Sequence, residues 1–211
     1  MAIIELKNII KKYGTKKVLD NFSMEISKGE MIAITGPSGK GKTTILNIIG
    51  LLEKFDEGEL IIDGESNLKP NSMKATKILR EKISYLFQNF ALVDDETVYY
   101  NLDLALRYVK VSKKEKKVLM EKALSDVGLS GCGNSKIFEL SGGEQQRIAL
   151  ARIILKPCKI VLADEPTGSL DEENSINILR LLALLKEKGK TIIIVTHDKN
   201  VADKCDRVII I

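Results

Sequence analysis

Gly36-Pro37-Ser38-Gly39-Lys40-Gly41-Lys42-Thr43 follows the apolar, β-branched run Met31–Thr35 and precedes Thr43–Leu52, whose apolar residues recur at helical spacing. Strand, glycine-rich turn and helix in immediate succession, with the turn spelling G-x-x-x-x-G-K-[ST], form a phosphate-binding arrangement. Glycines let such a loop fold tightly, so that successive backbone N–H groups point inward at phosphate oxygens, and the helix N-terminus adds partial positive charge. Lys42 is predicted to reach the β and γ phosphates, and the Thr43 hydroxyl to ligate Mg²⁺. Lys40 puts a second cation in the first turn, where the helix dipole disfavours it unless an anion is bound.

Outward from this loop, short β-branched runs recur at Leu60–Ile62, Ile83–Phe87, Ile160–Ala163, Thr191–Thr196 and Val208–Ile211, with helical patterns between several of them. Continuous apolar strands alternating with helices predict an α/β fold with a mainly parallel sheet covered on both faces. The early runs Ile3–Ile10 and Val18–Ile26 have no helix between them and are expected in a smaller antiparallel sheet. Val98–Val109 and Lys113–Val127 read as two helices with no strand between them, a helical insertion. The lysine-rich run Lys110–Lys117 reads as a solvated helix start.

A chain of 211 residues suits one domain of ordinary size. At that length roughly 70% of the unfolded chain's surface can be buried without disulfides or a structural metal. With 33 basic and 29 acidic residues and a net charge of +4, charge alone does not point to nucleic acid. No apolar stretch approaches the length of a bilayer span. The first residues, Met1-Ala2-Ile3-Ile4-Glu5, lack a basic segment followed by an apolar core, so a cytosolic location is expected. Cys132, Cys158 and Cys205 are far apart without metal-ligand spacing and are expected to be reduced.

Two further segments carry chemistry. Ile160-Val161-Leu162-Ala163-Asp164-Glu165-Pro166 is a buried-type strand that ends in two carboxylates, and Pro166 stops it. In phosphate-loop ATPases such an aspartate holds the Mg²⁺ hydration shell, and a neighbouring carboxylate can take a proton from the attacking water. Asp164 suits the first task and Glu165 the second. His197, the sole histidine, follows the strand Ile192–Thr196, at the strand end where open α/β sheets bind ligands. Leu140-Ser141-Gly142-Gly143-Glu144-Gln145-Gln146-Arg147 opens a helix with two glycines and a serine hydroxyl near free N–H groups.

Together with this octapeptide, almost the whole chain resembles the ATP-binding subunit of ABC transporters. The resemblance implies a phosphate-loop NTPase core with a small N-terminal antiparallel β subdomain (core plus β subdomain about 1–88 and 158–211) and an inserted α-helical subdomain (about 89–157). It implies that ATP and Mg²⁺ bind among Tyr13, Gly36, Ser38, Gly39, Gly41, Lys42, Thr43, Thr44, Gln88 and Asp164. In that family an aromatic residue matching Tyr13 stacks on adenine. Gln88 resembles the glutamine that touches Mg²⁺ and senses the membrane partner; Thr43, Gln88 and, through water, Asp164 would serve the metal. Lys42, Glu165 and His197, the last resembling a switch histidine at the γ phosphate, would be catalytic. Ser141, Gly142, Gly143, Glu144 and Gln145 match the signature motif, which in the family closes on the phosphate loop of a second subunit. Ser169 and Asp171 resemble the segment that couples the two sites.

The partners implied are a second copy of the chain upon ATP binding and an integral-membrane permease, contacted at a groove near Gln88 and the helical insertion, with no nucleic acid. The location implied is the cytoplasmic face of the cell membrane, held through the permease. The signature and Thr167-Gly168-Ser169-Leu170-Asp171 look like the group that serves lipoprotein-release, macrolide-export and bacteriocin-export permeases. Phe90–Thr97 is similar to small ATPases of bacteriocin-type exporters, so an exporter of peptide, drug or lipoprotein type is expected. Coupling to a membrane protein for signalling or cell-wall enzyme control is the alternative. Two features depart from the family: its C-terminal β-hairpin continues beyond the position of Ile211, and many relatives carry a proline after Gln88.

Overall fold

Met31–Thr35 (β3), Ile160–Asp164 (β6) and Thr191–Val195 (β7) are apolar but for one terminal residue each, because both of their faces are covered. In the computed structural model, which describes residues 1–168 and 171–211, they form a parallel sheet with Ile83–Leu86 (β5) and Arg207–Ile210 (β8) in the order β5-β6-β7-β3-β8. Ala2–Tyr13 (β1), Lys16–Ser27 (β2) and Glu57–Ile62 (β4) form the second, antiparallel sheet in the order β2-β1-β4. A parallel sheet and a smaller antiparallel one were both expected, but the run Leu60–Ile62, read with the parallel strands, lies in β4 and pairs antiparallel with β1.

Successive side chains of a strand point to opposite faces, and the two faces of the parallel sheet serve two cores. Ile32, Ile34, Leu162, Ile193 and Val195 join the antiparallel sheet and the helix Lys42–Ile49 (α1) in one core. Val161, Ala163, Ile192 and Ile194 face the other way, toward the helices Val98–Asp103 (α3), Lys113–Asp126 (α4), Gly142–Leu155 (α5) and Glu172–Glu187 (α6). Met73–Glu81 (α2) and the short Lys199–Ala202 (α7) complete the chain; α2 is amphipathic and buries Ala75 and Ile78.

The helical insertion differs from its expectation at one place. The pattern predicted a helix over Val98–Val109, whereas α3 stops at Asp103 and a tight 3₁₀ turn, Leu104–Leu106, follows. The backbone N–H groups of Arg107 and Val109 bond three residues back, to Leu104 and Leu106. That tightening buries Leu106 while Leu104 stays partly exposed. The second helix, α4, runs Lys113–Asp126 and opens with a capping box between Ser112 and Glu115. Among the described residues, no helix is long and apolar enough to cross a membrane.

Candidate functional site

The parallel register sets the C-terminal ends of four strands side by side: Leu86 pairs with Ala163, Asp164 with Val195, and Ile34 with Val195. The segments that leave these strands carry Gln88, Asp164 with Glu165, His197, and the Gly36–Thr43 loop. Residues that are far apart in sequence are thus gathered along one edge of the sheet, where ligands of open α/β sheets bind.

Gly36 and Gly41 shape the loop. Gly36 has φ +142°, and a Cβ there would lie 2.3 Å from the carbonyl oxygen of Ile211. Gly41, with φ +100°, caps α1, and a Cβ would lie 2.9 Å from Val18 Cγ1. Among the described residues no side chain caps α1, and its first turn holds no acidic residue. The N–H groups at this helix start therefore keep their positive field available for an anion. Lys42 Nζ donates to the carbonyls of Gly36 at 2.8 Å and Pro37 at 3.0 Å, which holds the ammonium within the loop. Ser38, Gly39 and Lys40 are exposed. Beside the loop is a groove of about 380 Å³ lined by Tyr13, Lys16, Val18, Gly39, Gly41, Lys42, Thr43 and Thr44. Tyr13 stands at the end of β1 with Lys11 Nζ 4.5 Å from its ring centroid.

Thr43 Oγ1 donates to Asp164 Oδ1 at 3.4 Å. Burial raises the Asp164 pKa above its usual value; the Thr43 hydroxyl opposes that shift and the neighbouring Glu165 charge adds to it. A hydroxyl and a carboxylate oxygen that favours a cation are hard donors of the kind Mg²⁺ takes, with phosphates and water completing its shell. Gln88 is exposed in the turn just beyond β5.

Glu165 has φ +46°, a left-handed backbone that is rare for a residue with a side chain. Its N–H donates to the Val195 carbonyl at 2.9 Å, and its own carbonyl accepts from Gly168 at 3.2 Å. The turn aims the carboxylate across the end of β7: His197 Nδ1 is 2.8 Å from Oε1, and Thr196 Oγ1 donates to Oε2 at 3.4 Å. The hydrogen bond and charge of Glu165 raise the His197 pKa above its usual value. The carboxylate is 17% exposed and the imidazole 73%, so the carboxylate is sheltered while the ring faces solvent.

Ser141 caps α5 in a reciprocal box: Glu144 N donates to Ser141 Oγ at 3.4 Å, and Ser141 N donates to Glu144 Oε2 at 2.9 Å. Ser141 and Gly142 are exposed. Gln145 Nε2 donates to the carbonyls of Leu140 and Ile137, closing the entry to the helix. Gly143 lies close to Asn174, where a Cβ would come within 3.1 Å. Asn174 in turn donates through N and Nδ2 to Asp171, which caps α6. Ser169 lies outside the described residues.

Three side chains absent from the sequence-based site organise it. Gln146, buried in α5, donates to the Pro166 carbonyl and so ties α5 to the loop after Glu165. Thr196 binds Glu165 and accepts from Asp198 N at 3.0 Å. Arg152 donates to the Phe90 and Ala91 carbonyls just beyond Gln88. The octapeptide already contained Gln146, and only fuller burial separates it from its half-buried neighbours Gln145 and Arg147; nothing local distinguishes Thr196 or Arg152.

The family model described as ABC transporter matches residues 19–168. The macrolide export ATP-binding/permease protein MacB of Mannheimia succiniciproducens is 40% identical over 99% of the chain, which spans 33% of that relative. The chain thus covers about a third of the length of the MacB relatives. An ABC transporter ATP-binding protein of Bacillus subtilis, YvrO, is 40% identical over 99% of the chain and 93% of its own length. A dimeric structure of the ATP-binding cassette MJ0796, in a post-hydrolysis state with ADP and Pi, superposes with TM-score 0.90 at 39% identity, covering 99% of this chain and 94% of that one. From the match across the glycine loop and signature segment, and from relatives alike over nearly its whole length, the chain belongs to the ABC transporter family, as an ATP-binding cassette with the ABC ATPase fold.

Proposed function

We propose that the chain binds Mg-ATP and hydrolyses it to ADP and phosphate as the ATPase subunit of an exporter, two copies closing around two nucleotides to drive a separate membrane permease. The observation that carries this is the Glu165 carboxylate, held by His197 and Thr196 at the sheet edge shared with the Gly36–Thr43 loop. Tyr13 receives the adenine at the mouth of the groove. The loop N–H groups and Lys42 take the phosphates, and Thr43, Asp164 and Gln88 serve the metal. When bound, Mg²⁺ neutralises charge on the β and γ phosphates. Glu165 accepts a proton from the water that attacks the γ phosphorus, and His197 orients that carboxylate and reaches the γ phosphate.

The exposed Ser141 and Gly142 at the start of α5 are suited to meet a γ phosphate held by the other copy. With both half-sites in one chain, a two-fold dimer has two complete sites. Asp171 and Ser169 couple them. The permease sits at the membrane and brings the cassette to its cytoplasmic face, at a groove between the turn beyond Gln88 and the helical insertion. Of the cargo types expected, peptide, drug or lipoprotein, likeness to the macrolide export protein supports the drug type.

Phosphate release by the parent chain and by Glu165→Gln tests the chemistry. A loss of roughly 10²- to 10⁴-fold is expected for a general base, and unchanged release would remove Glu165 from that role. Pull-down from detergent-solubilised native membranes with Glu165→Gln and Mg-ATP tests the coupling. A multi-span permease is expected, whereas recovery of only soluble protein or nucleic acid would overturn the transporter assignment.

A further inference from the structure

Of the buried residues of α5, Gln146 alone is polar, and it is 2% exposed. A buried amide costs stability for each of its polar atoms that is left unpaired. Nε2 donates to the Pro166 carbonyl, whereas Oε1, also buried, accepts from no group among the described residues. An apolar side chain of the same reach would fill the space without an orphaned acceptor, so packing alone does not call for an amide here. What the amide supplies is its hold on the Pro166 carbonyl.

That carbonyl belongs to the turn that aims Glu165. Pro166 has no N–H, so its carbonyl is its whole backbone hydrogen-bonding capacity. The residue is buried, and a carbonyl deprived of Gln146 would have no water beside it and would gain by moving. Immediately before it, Glu165 has left-handed backbone at φ +46°, a conformation that persists only where its surroundings over-determine it. Glu165 N donates to Val195 within the sheet, and Gly168 N donates back to Glu165 within the turn itself. Among the described residues, Gln146 gives the only hydrogen bond from α5 to the segment 165–168.

We infer that Gln146 is a positioning residue for the hydrolysis proposed above: its hold on the Pro166 carbonyl fixes the turn that directs the Glu165 carboxylate. The inference rests on the reading of Glu165 as the base and adds the residue that sets its aim. Gln146 acts through Glu165 alone. A displacement of about 1 Å at a reacting group can cost on the order of 10² in rate, so one buried hydrogen bond suffices to govern turnover.

The test compares Gln146→Met, which keeps the length and the burial but cannot donate, with the parent chain and with Glu165→Gln, each as the full chain. The exchange removes one unpaired acceptor, Oε1, and frees another, the Pro166 carbonyl, so the melting temperature is expected to stay close to that of the parent. Gln146→Leu serves if Gln146→Met folds poorly. Turnover of Mg-ATP is expected to fall roughly 10- to 100-fold, with KM for ATP within about twofold of the parental value. In a chain already carrying Glu165→Gln the same substitution should cost no further turnover, because two residues that act as one unit are not additive. The ring signals of His197, the sole histidine, are expected to move in the NMR spectrum of Gln146→Met, because the ring follows Glu165 Oε1. Parental turnover in Gln146→Met, a loss confined to KM, unmoved His197 signals, or an equal loss in both backgrounds would overturn the positioning role. Each of these leaves the base standing as long as Glu165→Gln alone loses turnover. Parental turnover in Glu165→Gln would overturn the base and the positioning role together.

Discussion

His197 Nδ1 and Glu165 Oε1 are 2.8 Å apart, and this contact ties together the segments that leave the adjacent strands β6 and β7. A carboxylate only accepts, so the ring donates through Nδ1 and its other nitrogen is turned toward solvent.

The pair makes the sole histidine a reporter of the site. Glu165 raises the His197 pKa above 6.5, so the folded state holds the proton more tightly than the unfolded chain. The stabilisation is therefore fully present below about pH 6.5 and is lost as pH rises through the folded value. An NMR titration of the ring is expected to give a midpoint above 6.5 in the parent chain and a lower one in Glu165→Gln. Identical midpoints would mean that the contact does not persist in solution.

Asp164 has the opposite character, because burial disfavours its charged form. The penalty is absent below about pH 3.8 and complete above the raised folded value. At neutral pH, Asp164→Asn is expected to raise the unfolding temperature of the nucleotide-free chain. The same change should abolish the extra stabilisation that Mg²⁺ adds to ATP binding. Retention of that Mg²⁺ increment in thermal melts would exclude Asp164 from metal binding.

Gly41→Ala forces a Cβ to 2.9 Å from Val18 at φ +100°, whereas Gly39→Ala, at φ +76°, meets nothing within 4 Å. Both incur the left-handed cost of about 1–2 kcal/mol, but only Gly41→Ala must also move β2 or the first turn of α1. Gly41→Ala is expected to melt lower than Gly39→Ala and to lose nucleotide binding in calorimetry. Equal melting temperatures would show that the Val18 contact relaxes without cost.

Within one copy, the Ser141 side chain bonds only to Glu144 among the described residues. Loss of this cap in Ser141→Ala is expected to cost about 1 kcal/mol while ATP binding to a single copy is retained. Mixed with Lys42→Ala, itself inactive, Ser141→Ala should regain up to about a quarter of parental turnover, because half of the dimers then hold one intact site of two. No gain over the separate variants would contradict a site shared between copies.

Much of the fold was legible because its determinants are local. Runs such as Ile160–Ala163 and Thr191–Val195 declare strands buried on both faces, and the absence of a helix between β1 and β2 requires an antiparallel pair. The end of α3 was less legible, because the apolar spacing continues past Asp103 and only packing of Leu106 tightens the backbone there. Gln146 is another case: its motif was plain, but its bond to the Pro166 carbonyl depends on α5 lying against the end of β6.

By itself the sequence determined the Gly36–Thr43 loop, since glycines at fixed spacing before a helix are a property of eight consecutive residues. It likewise determined the placement of two carboxylates at the close of an apolar strand. Which strands stand side by side was decided by tertiary structure alone. β3 lies between β7 and β8, more than 150 residues away in the chain, and only this order places His197 against Glu165 and Asp164 beside Thr43. Hydrogen bonding between distant strands is satisfied by the packing of both faces together, and no short stretch of residues encodes it.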